Sequence, residues 1–555
     1  MDALLRLFLV FFLLGGGFVQ AQKLKSGPQV LTFHSVADDT EQPYAIYLPS
    51  NFDETQSYPL VVMLHGAGSN HRLALKRVFG KSNLEGETDV EASRYFPHLG
   101  EVDYIVAAPY ARGTAGYQGI VEQDVYAVLA DVKDRFKIDA DRIYLTGLSM
   151  GGGGSLWIGL TRPDVWAAIA PVCPAPPQGT LDLLGNAINL PVHFFHGDAD
   201  PVVPIEGTRL MVDKMQDRGI AVYLEEYEGV RHDSWVNAYA NGRIFEWFSQ
   251  FKRNGYPNRV SFTTHSLKHP TAYWVELRQL VPGALATIDA VIEEGQRISV
   301  ASDSVLEFTL HLANHPSITL DRAIDVTLDG KSLKIQPSAE LSFYKDGNTW
   351  RIGSLSQAGG MIKRHGISGP VFDAFSDRHI YVYGTADSPS AAELERRRNE
   401  AVTAANWSAY RGEFLGRMLF FPRVLADKEL RASDLESSHL ILFGHKETNS
   451  AIRQLEDILP MHLDPAFSDY GLLYIYPHNE RYVVIQSGMP WWGGGRTTGY
   501  AFMGQAHQKL TGFKDFAFFK SNPDEMILEG YFDSRWELSD QDRRMLQDME
   551  AIILK

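Results

Sequence analysis

The sequence predicts an α/β fold built in more than one unit, on three observations. Strand-like apolar runs alternate with amphipathic helical stretches. The pentapeptide Gly147-Leu148-Ser149-Met150-Gly151 lies between one such strand and one such helix. The length, 555 residues, exceeds what one core supports, since single cores stop growing at about 250–300 residues. A hydrophobic content of 45% can supply several cores.

The first element is a leader. Residues 1–21 hold Arg6, an apolar run Leu7–Leu14 and then Val19-Gln20-Ala21, the pattern of a secretory signal cut after Ala21. Asp2 weakens the positive start, and an uncleaved anchor is the alternative, but the run is short for a bilayer of about 30 Å. Elsewhere no stretch of about 18 apolar residues occurs, so no stable membrane insertion is expected after cleavage, and the location expected is secreted or periplasmic.

Leu60-Val61-Val62-Met63-Leu64 reads as a buried strand, and His65-Gly66-Ala67-Gly68 follows as a glycine-rich turn. Tyr104–Ala108 is the next strand, leading into Pro109-Tyr110-Ala111-Arg112-Gly113. An amphipathic helix runs from Glu122 to Phe136, where Asp124 reads as a helix or loop anchor. Asp141–Thr146 then carries the chain into the pentapeptide. Gly-x-Ser-x-Gly between strand and helix is a nucleophile elbow, in which flanking side chains would collide with neighbouring backbone and the serine stands exposed. The helix from Met150 to Leu160 begins with four glycines, Gly151–Gly154. Each interior glycine costs roughly 1 kcal/mol against alanine, so close packing against the sheet is the expected reason.

A serine hydroxyl needs a base, and the base needs a carboxylate to hold its tautomer. The strand Pro191–Phe195 breaks into His196-Gly197-Asp198-Ala199-Asp200. A helix from Glu206 to Arg218 and a strand from Ile220 to Tyr227 lead on to Arg231-His232-Asp233-Ser234-Trp235. The order Ser149, Asp200, His232 is that of nucleophile, acid and base in one hydrolase fold. Asp198 is the competing carboxylate, read as a turn former that bonds its own backbone. His65 and His196 each precede a glycine at the end of an apolar run and read as loop-shaping. The backbone amides of Ala67 and Met150 are the candidate oxyanion donors. Tyr110, Arg112 and Trp235 are candidate substrate contacts, with loop packing as their other reading. Two-step acyl transfer through these groups requires no metal and no organic cofactor, and none is expected.

From about Pro43 to Trp247 the chain resembles α/β-hydrolases of the secreted esterase type. It is similar to feruloyl and acetyl-xylan esterases and polyhydroxybutyrate depolymerases, and also to the catalytic domain of the prolyl oligopeptidase family. The resemblance rests on the His65-Gly66 turn, Pro109–Gly113, the elbow with its glycine extension, His196–Asp200 and His232–Trp235. It implies a serine carboxylic-ester hydrolase acting on an ester substrate linked to a polysaccharide, or on a polyester. A peptidase of the prolyl oligopeptidase type is the alternative. The esterase is favoured because the hydrolase strands begin too early for a preceding β-propeller and no clear acidic pair for a peptide amino terminus is found. A third reading is a surface glycan-binding protein with an incidental hydrolase domain.

The hydrolase domain is expected over residues 22–258, ending at the polar boundary Asn254-Gly255-Tyr256-Pro257. Short alternating segments follow, Val260–Thr264, Tyr273–Leu277 and Ile324–Leu328 before Asp329-Gly330, so residues 259–355 are expected to form a small β-sandwich. Residues 356–555 return to α/β alternation and are expected to form a second, flavodoxin-like α/β domain. Its strands are His379–Thr385, His439–Gly444 and Tyr482–Ile485, and a helix spans Ala391–Trp407. Ligands bind such sheets beyond the strand ends, here Thr385 and Gly444–Asn449, but no glycine fingerprint supports a nucleotide. Trp491-Trp492 reads as a packing pair, with a sugar platform or active-site flap as the other possibility.

The single cysteine, Cys173, excludes an intrachain disulfide and reads as a small core residue. A formal charge of −16 argues against nucleic acid as a partner, because phosphate binding needs clustered cations. The run Arg396-Arg397-Arg398 follows Glu393 and Glu395 and reads as a solvated helix face.

Overall fold

The computed structural model describes residues 24–294, 296–355, 361–407, 420–495 and 503–555. The expected signal at 1–21 lies outside the described residues.

The first unit is an eight-stranded sheet: β1 (Gly27–Ser35), β2 (Thr40–Leu48), β3 (Tyr58–Leu64), β4 (Ile105–Pro109), β5 (Ile138–Leu148), β6 (Ala168–Val172), β7 (Val192–Gly197) and β8 (Val222–Tyr227). They stand in the order β1-β2-β4-β3-β5-β6-β7-β8. β2 runs antiparallel to both β1 and β4, and every pair from β4 to β8 is parallel. A parallel sheet is covered on both faces, which is why its strands read as unbroken apolar runs. Alternation then sorts each strand between two cores. Leu60, Val62 and Leu64 face a core shared with helices at Ile120–Arg135, Met150–Thr161 and Ile205–Gln216. Val61 and Met63 face the opposite core, shared with helices at His71–Val78 and Arg243–Phe248. We label the helices at His71–Val78, Ile120–Arg135, Met150–Thr161 and Ile205–Gln216 α1, α2, α3 and α4. The result is an α/β unit with a mostly parallel sheet, and Ser149 stands at the end of β5 where α3 begins.

Next come two five-stranded sheets, from Arg259–Thr264 to Thr349–Ile352, facing each other across one core. Phe262, Ile288 and Val300 enter that core from one sheet, and Leu277, Phe308 and Phe343 from the other. Glu122 of α2 ties this region to the first unit. Its carboxylate accepts a hydrogen bond from His269 at 2.8 Å and lies 3.3 Å from Lys268 Nζ.

The last region differs from the expected flavodoxin-like sheet. Four strands, Arg423–Ala426, His379–Tyr383, His439–Phe443 and Arg481–Gly488, are parallel. Tyr470–His478, Phe516–Lys520 and Met526–Gly530 extend the sheet antiparallel. The reason is local: only Asn479 and Glu480 separate Tyr470–His478 from Arg481–Gly488, and a two-residue link can join only antiparallel neighbours. The expected crevice at Thr385 and Gly444–Asn449 is filled by the chain itself. Asp427 accepts from Thr385 N at 3.1 Å, Thr385 Oγ1 at 2.6 Å and Ser450 N at 2.7 Å. The Asn449 amide donates to Val382 O and Phe443 O. Trp491 is fully buried and donates to Ala506 O at 2.9 Å, with Trp492 edge-on against it at 4.8 Å; the pair packs the core of this region. Arg396 and Arg397 pair with Glu393, and Arg397 also with Asp387.

Three residues of this C-terminal region, Trp407, Phe420 and Met503, belong to the same apolar cluster as α2 and α3. Arg378 adds an ion pair to Asp39 at 2.6 Å.

Candidate active site

The turn at Ser149 has φ 55° and ψ −116°, a backbone that a side-chain-bearing residue adopts only when its surroundings fix it. Here they do. Ser149 N donates to Val172 O at 2.9 Å, and Ser149 O accepts from Gly153 N at 3.0 Å and Ala175 N at 3.1 Å. The glycine run has the expected cause. A Cβ on Gly151 would stand 2.2 Å from Leu64 O, and one on Gly153 would stand 1.9 Å from Ala175 O. The helix therefore seats directly on the loops that end β3 and β6.

Three side chains from three strand ends converge. The Ser149 hydroxyl lies 3.0 Å from His232 Nε2, and His232 Nδ1 lies 2.7 Å from Asp200 Oδ2. The Asp200 side chain is fully buried and that of His232 is 21% exposed. Burial opposes charge on Asp200, yet hydrogen bonds from His232 and from the amides of Val203 and Val202 hold its carboxyl below the usual range. An ionised carboxylate only accepts, so Nδ1 carries the imidazole proton and Nε2 faces the serine as the acceptor. The Val202 and Val203 amides, at 2.8 and 3.0 Å from Asp200 Oδ1, carry no side-chain signal that sequence could reveal. Asp198 lies one turn away and accepts from Gly229 N at 2.7 Å, pinning the loop that leads to His232.

The other histidines are held elsewhere. His196 is buried against Thr208 Oγ1 and Val203 O, each at 2.9 Å, with Asp200 at 3.4 Å. His65 is fully buried between Gly66 O and Tyr110 O, at 2.8 and 2.7 Å. Burial lowers both of their pKa values. Neither ring reaches Ser149.

The turn after β3 runs alongside the serine, since a Cβ on Gly66 would stand 3.5 Å from Ser149 Cβ. Among the described residues, no protein acceptor takes the amide of Ala67 or Met150.

The three expected substrate contacts separate. Trp235 stacks edge-on against the His232 ring at 5.6 Å and stays partly exposed. Tyr110 is buried, its ring between those of His65 and His71, and burial pushes its hydroxyl up to about 12. Arg112 is a correction: its side chain is 0% exposed and cannot meet a substrate. Its guanidinium reaches Asp38 at 2.5 Å, Asp124 at 2.5 Å and Ser35 Oγ at 2.7 Å. Sequence places Arg112 after a strand end, but the carboxylates that neutralise it come from elsewhere in the chain. Asp124 is an anchor, as expected.

Cys173 is buried just behind these groups, its Sγ 3.5 Å from His232 O, and burial pushes the thiol up to about 12. Cys173, Asp200 and His232 present ligand atoms within 4.8 Å of one another. Of these, His232 is hydrogen-bonded to both Asp200 and Ser149.

Residues 35–186 match the model of an esterase family described as "Putative esterase". The chain is 26% identical over 191 residues to "Probable feruloyl esterase C" of Aspergillus oryzae, a match covering 34% of this chain and 66% of that protein. It is 25% identical over 181 residues to "Feruloyl esterase D" of Neurospora crassa, covering 31% and 57%. The chain thus spans just under two thirds of the length of the first relative. Among solved structures, a thermostable esterase is 27% identical, with a TM-score of 0.32 over 41% of this chain and 63% of that one.

Proposed function

We propose that this protein is a serine carboxylic-ester hydrolase working through an acyl-enzyme, with Ser149 as nucleophile, His232 as base and Asp200 as orienting acid. The observation that carries the reading is the hydrogen-bond relay of 3.0 and 2.7 Å from hydroxyl to imidazole to carboxylate. Ser149 attacks the ester carbonyl while Nε2 takes its proton. The developing oxyanion accepts hydrogen bonds from the Ala67 and Met150 amides. The imidazolium, stabilised by Asp200, returns the proton to the leaving alcohol, and water activated by the same ring then releases the acid. All of these groups come from the chain itself. Trp235, beside the base, is the aromatic surface for the acyl or alcohol group.

The substrate is an ester carried on a polysaccharide or polyester, a reading supported by the similarity to feruloyl esterases. The signal-like sequence at 1–21 supports a secreted or periplasmic location. The units are a hydrolase over 22–258, a β-sandwich over 259–355 and a C-terminal α/β region over 356–555.

Ser149→Ala is expected to abolish fluorophosphonate labelling and to lower kcat by several orders of magnitude. Unchanged turnover would remove the nucleophile assignment. Acetylated, feruloylated and polyester substrates assayed beside aminoacyl and prolyl anilides identify the class. Preference for the anilides would instead favour a peptidase.

A further inference from the structure

Arg112 lies in a loop whose backbone is unusual. Ala111, Arg112 and Gly113 have φ values of 50°, 57° and 84° in succession, and two of the three carry side chains. Such a run persists only where something holds it. The buried guanidinium, ringed by Asp38, Asp124 and Ser35, is that hold.

The same loop grips the turn after β3 at three points. His65 Nε2 lies 2.7 Å from Tyr110 O, Gly68 N donates to Thr114 Oγ1 at 2.9 Å, and Tyr117 Oη donates to His65 O at 2.9 Å. These contacts bracket Ala67 on both sides. On its outer side the loop meets the C-terminal region. The Phe420 ring lies 5.5 Å from the Arg112 guanidinium carbon, and a Cβ on Gly119 would stand 3.2 Å from Phe372 Cζ.

We propose that Arg112 is a positioning residue for the oxyanion turn, and that the C-terminal region completes its clamp by covering the guanidinium with Phe420. The proposal rests on the acyl-transfer reading above. Ion pairs weaken when water enters, so removing the ring loosens the hold on residues 111–113. Thr114 and Tyr117 then shift, and the Ala67 amide leaves its aim. An oxyanion donor acts at about 2.7–3.1 Å from charge that develops only in the transition state. The loss therefore falls on kcat and leaves KM in place.

The test uses the full chain and the variants Phe420→Ala, Thr114→Val and Thr114→Ser, with folding verified by circular dichroism. Expected are kcat losses between about 10-fold and 100-fold for Phe420→Ala and Thr114→Val at unchanged KM, with near-wild-type kcat for Thr114→Ser. The Phe420→Ala/Thr114→Val double variant is expected to be little worse than Thr114→Val alone, because both act on one turn. Hydrogen exchange of the 65–69 amides is expected to quicken in Phe420→Ala. Wild-type kcat in Phe420→Ala, or multiplicative losses in the double variant, overturns the proposal. If wild type shows no Ser149-dependent ester turnover, the acyl-transfer reading fails instead. The exchange measurement then decides the clamp alone, and unchanged exchange overturns it.

Discussion

At Asp200 and Asp198, two carboxylates separated by one residue have different tasks, and the difference lies in their partners. Asp200 is buried and bonded to the imidazole, whereas Asp198 is exposed and holds Gly229. Asp200→Asn keeps the shape but lets the ring adopt the wrong tautomer, and kcat is expected to fall by about 10⁴. Asp198→Ala removes one exposed hydrogen bond and is expected to change kcat less than about tenfold. Steady-state kinetics on the two variants compares them, and the opposite ranking would reassign the acid. The two residues were distinguishable in sequence by their distance from the strand end. Arg112 was not: Asp124 lies 12 residues on and reads as an anchor, but Asp38 lies 74 residues away in the chain, and sequence does not show that the guanidinium is their common partner.

Among the elements, α3 shows how packing can dictate sequence. Four successive glycines weaken a helix, yet a Cβ on each would collide with backbone or with the Tyr117 ring, at 1.9–2.5 Å. Gly153→Ala is expected to cost about 3 kcal/mol through overpacking, read as a Tm lower by roughly 5–10 °C. A variant as stable as the parent would show that the helix can lift from the sheet. This element was legible because a steric rule acts on consecutive residues. The hairpin Tyr470–Gly488 was legible only in half. A strand buried on both faces reads as an apolar run whichever way its neighbour points, so direction was set by a turn whose residues, Asn479 and Glu480, carry no glycine cue.

In the whole molecule, the contact between the first unit and the following sheets depends on a buried charge. Burial works against ionisation of Glu122, but His269 and Lys268 outweigh it and bring the carboxyl from 4.5 down to about 2. A depressed acid stabilises the fold fully above its ordinary pKa and loses that contribution as pH falls towards the folded value. The linked stability, about 3 kcal/mol, is therefore expected to disappear between about pH 4.5 and 2. Calorimetry across that range is expected to show a smaller slope of Tm with pH in Glu122→Gln than in wild type. Equal slopes would assign the acid sensitivity to other groups. None of this was readable beforehand, because Glu122 and His269 are 147 residues apart in the chain.

The lone thiol at residue 173 offers a consequence of another kind. Sealed behind the relay and reluctant to ionise, it is expected to resist maleimide while the molecule stays closed and to react once the surrounding core opens. With no second sulfhydryl to confuse the count, the rate of alkylation is a ready-made clock for that opening, needing no engineered label.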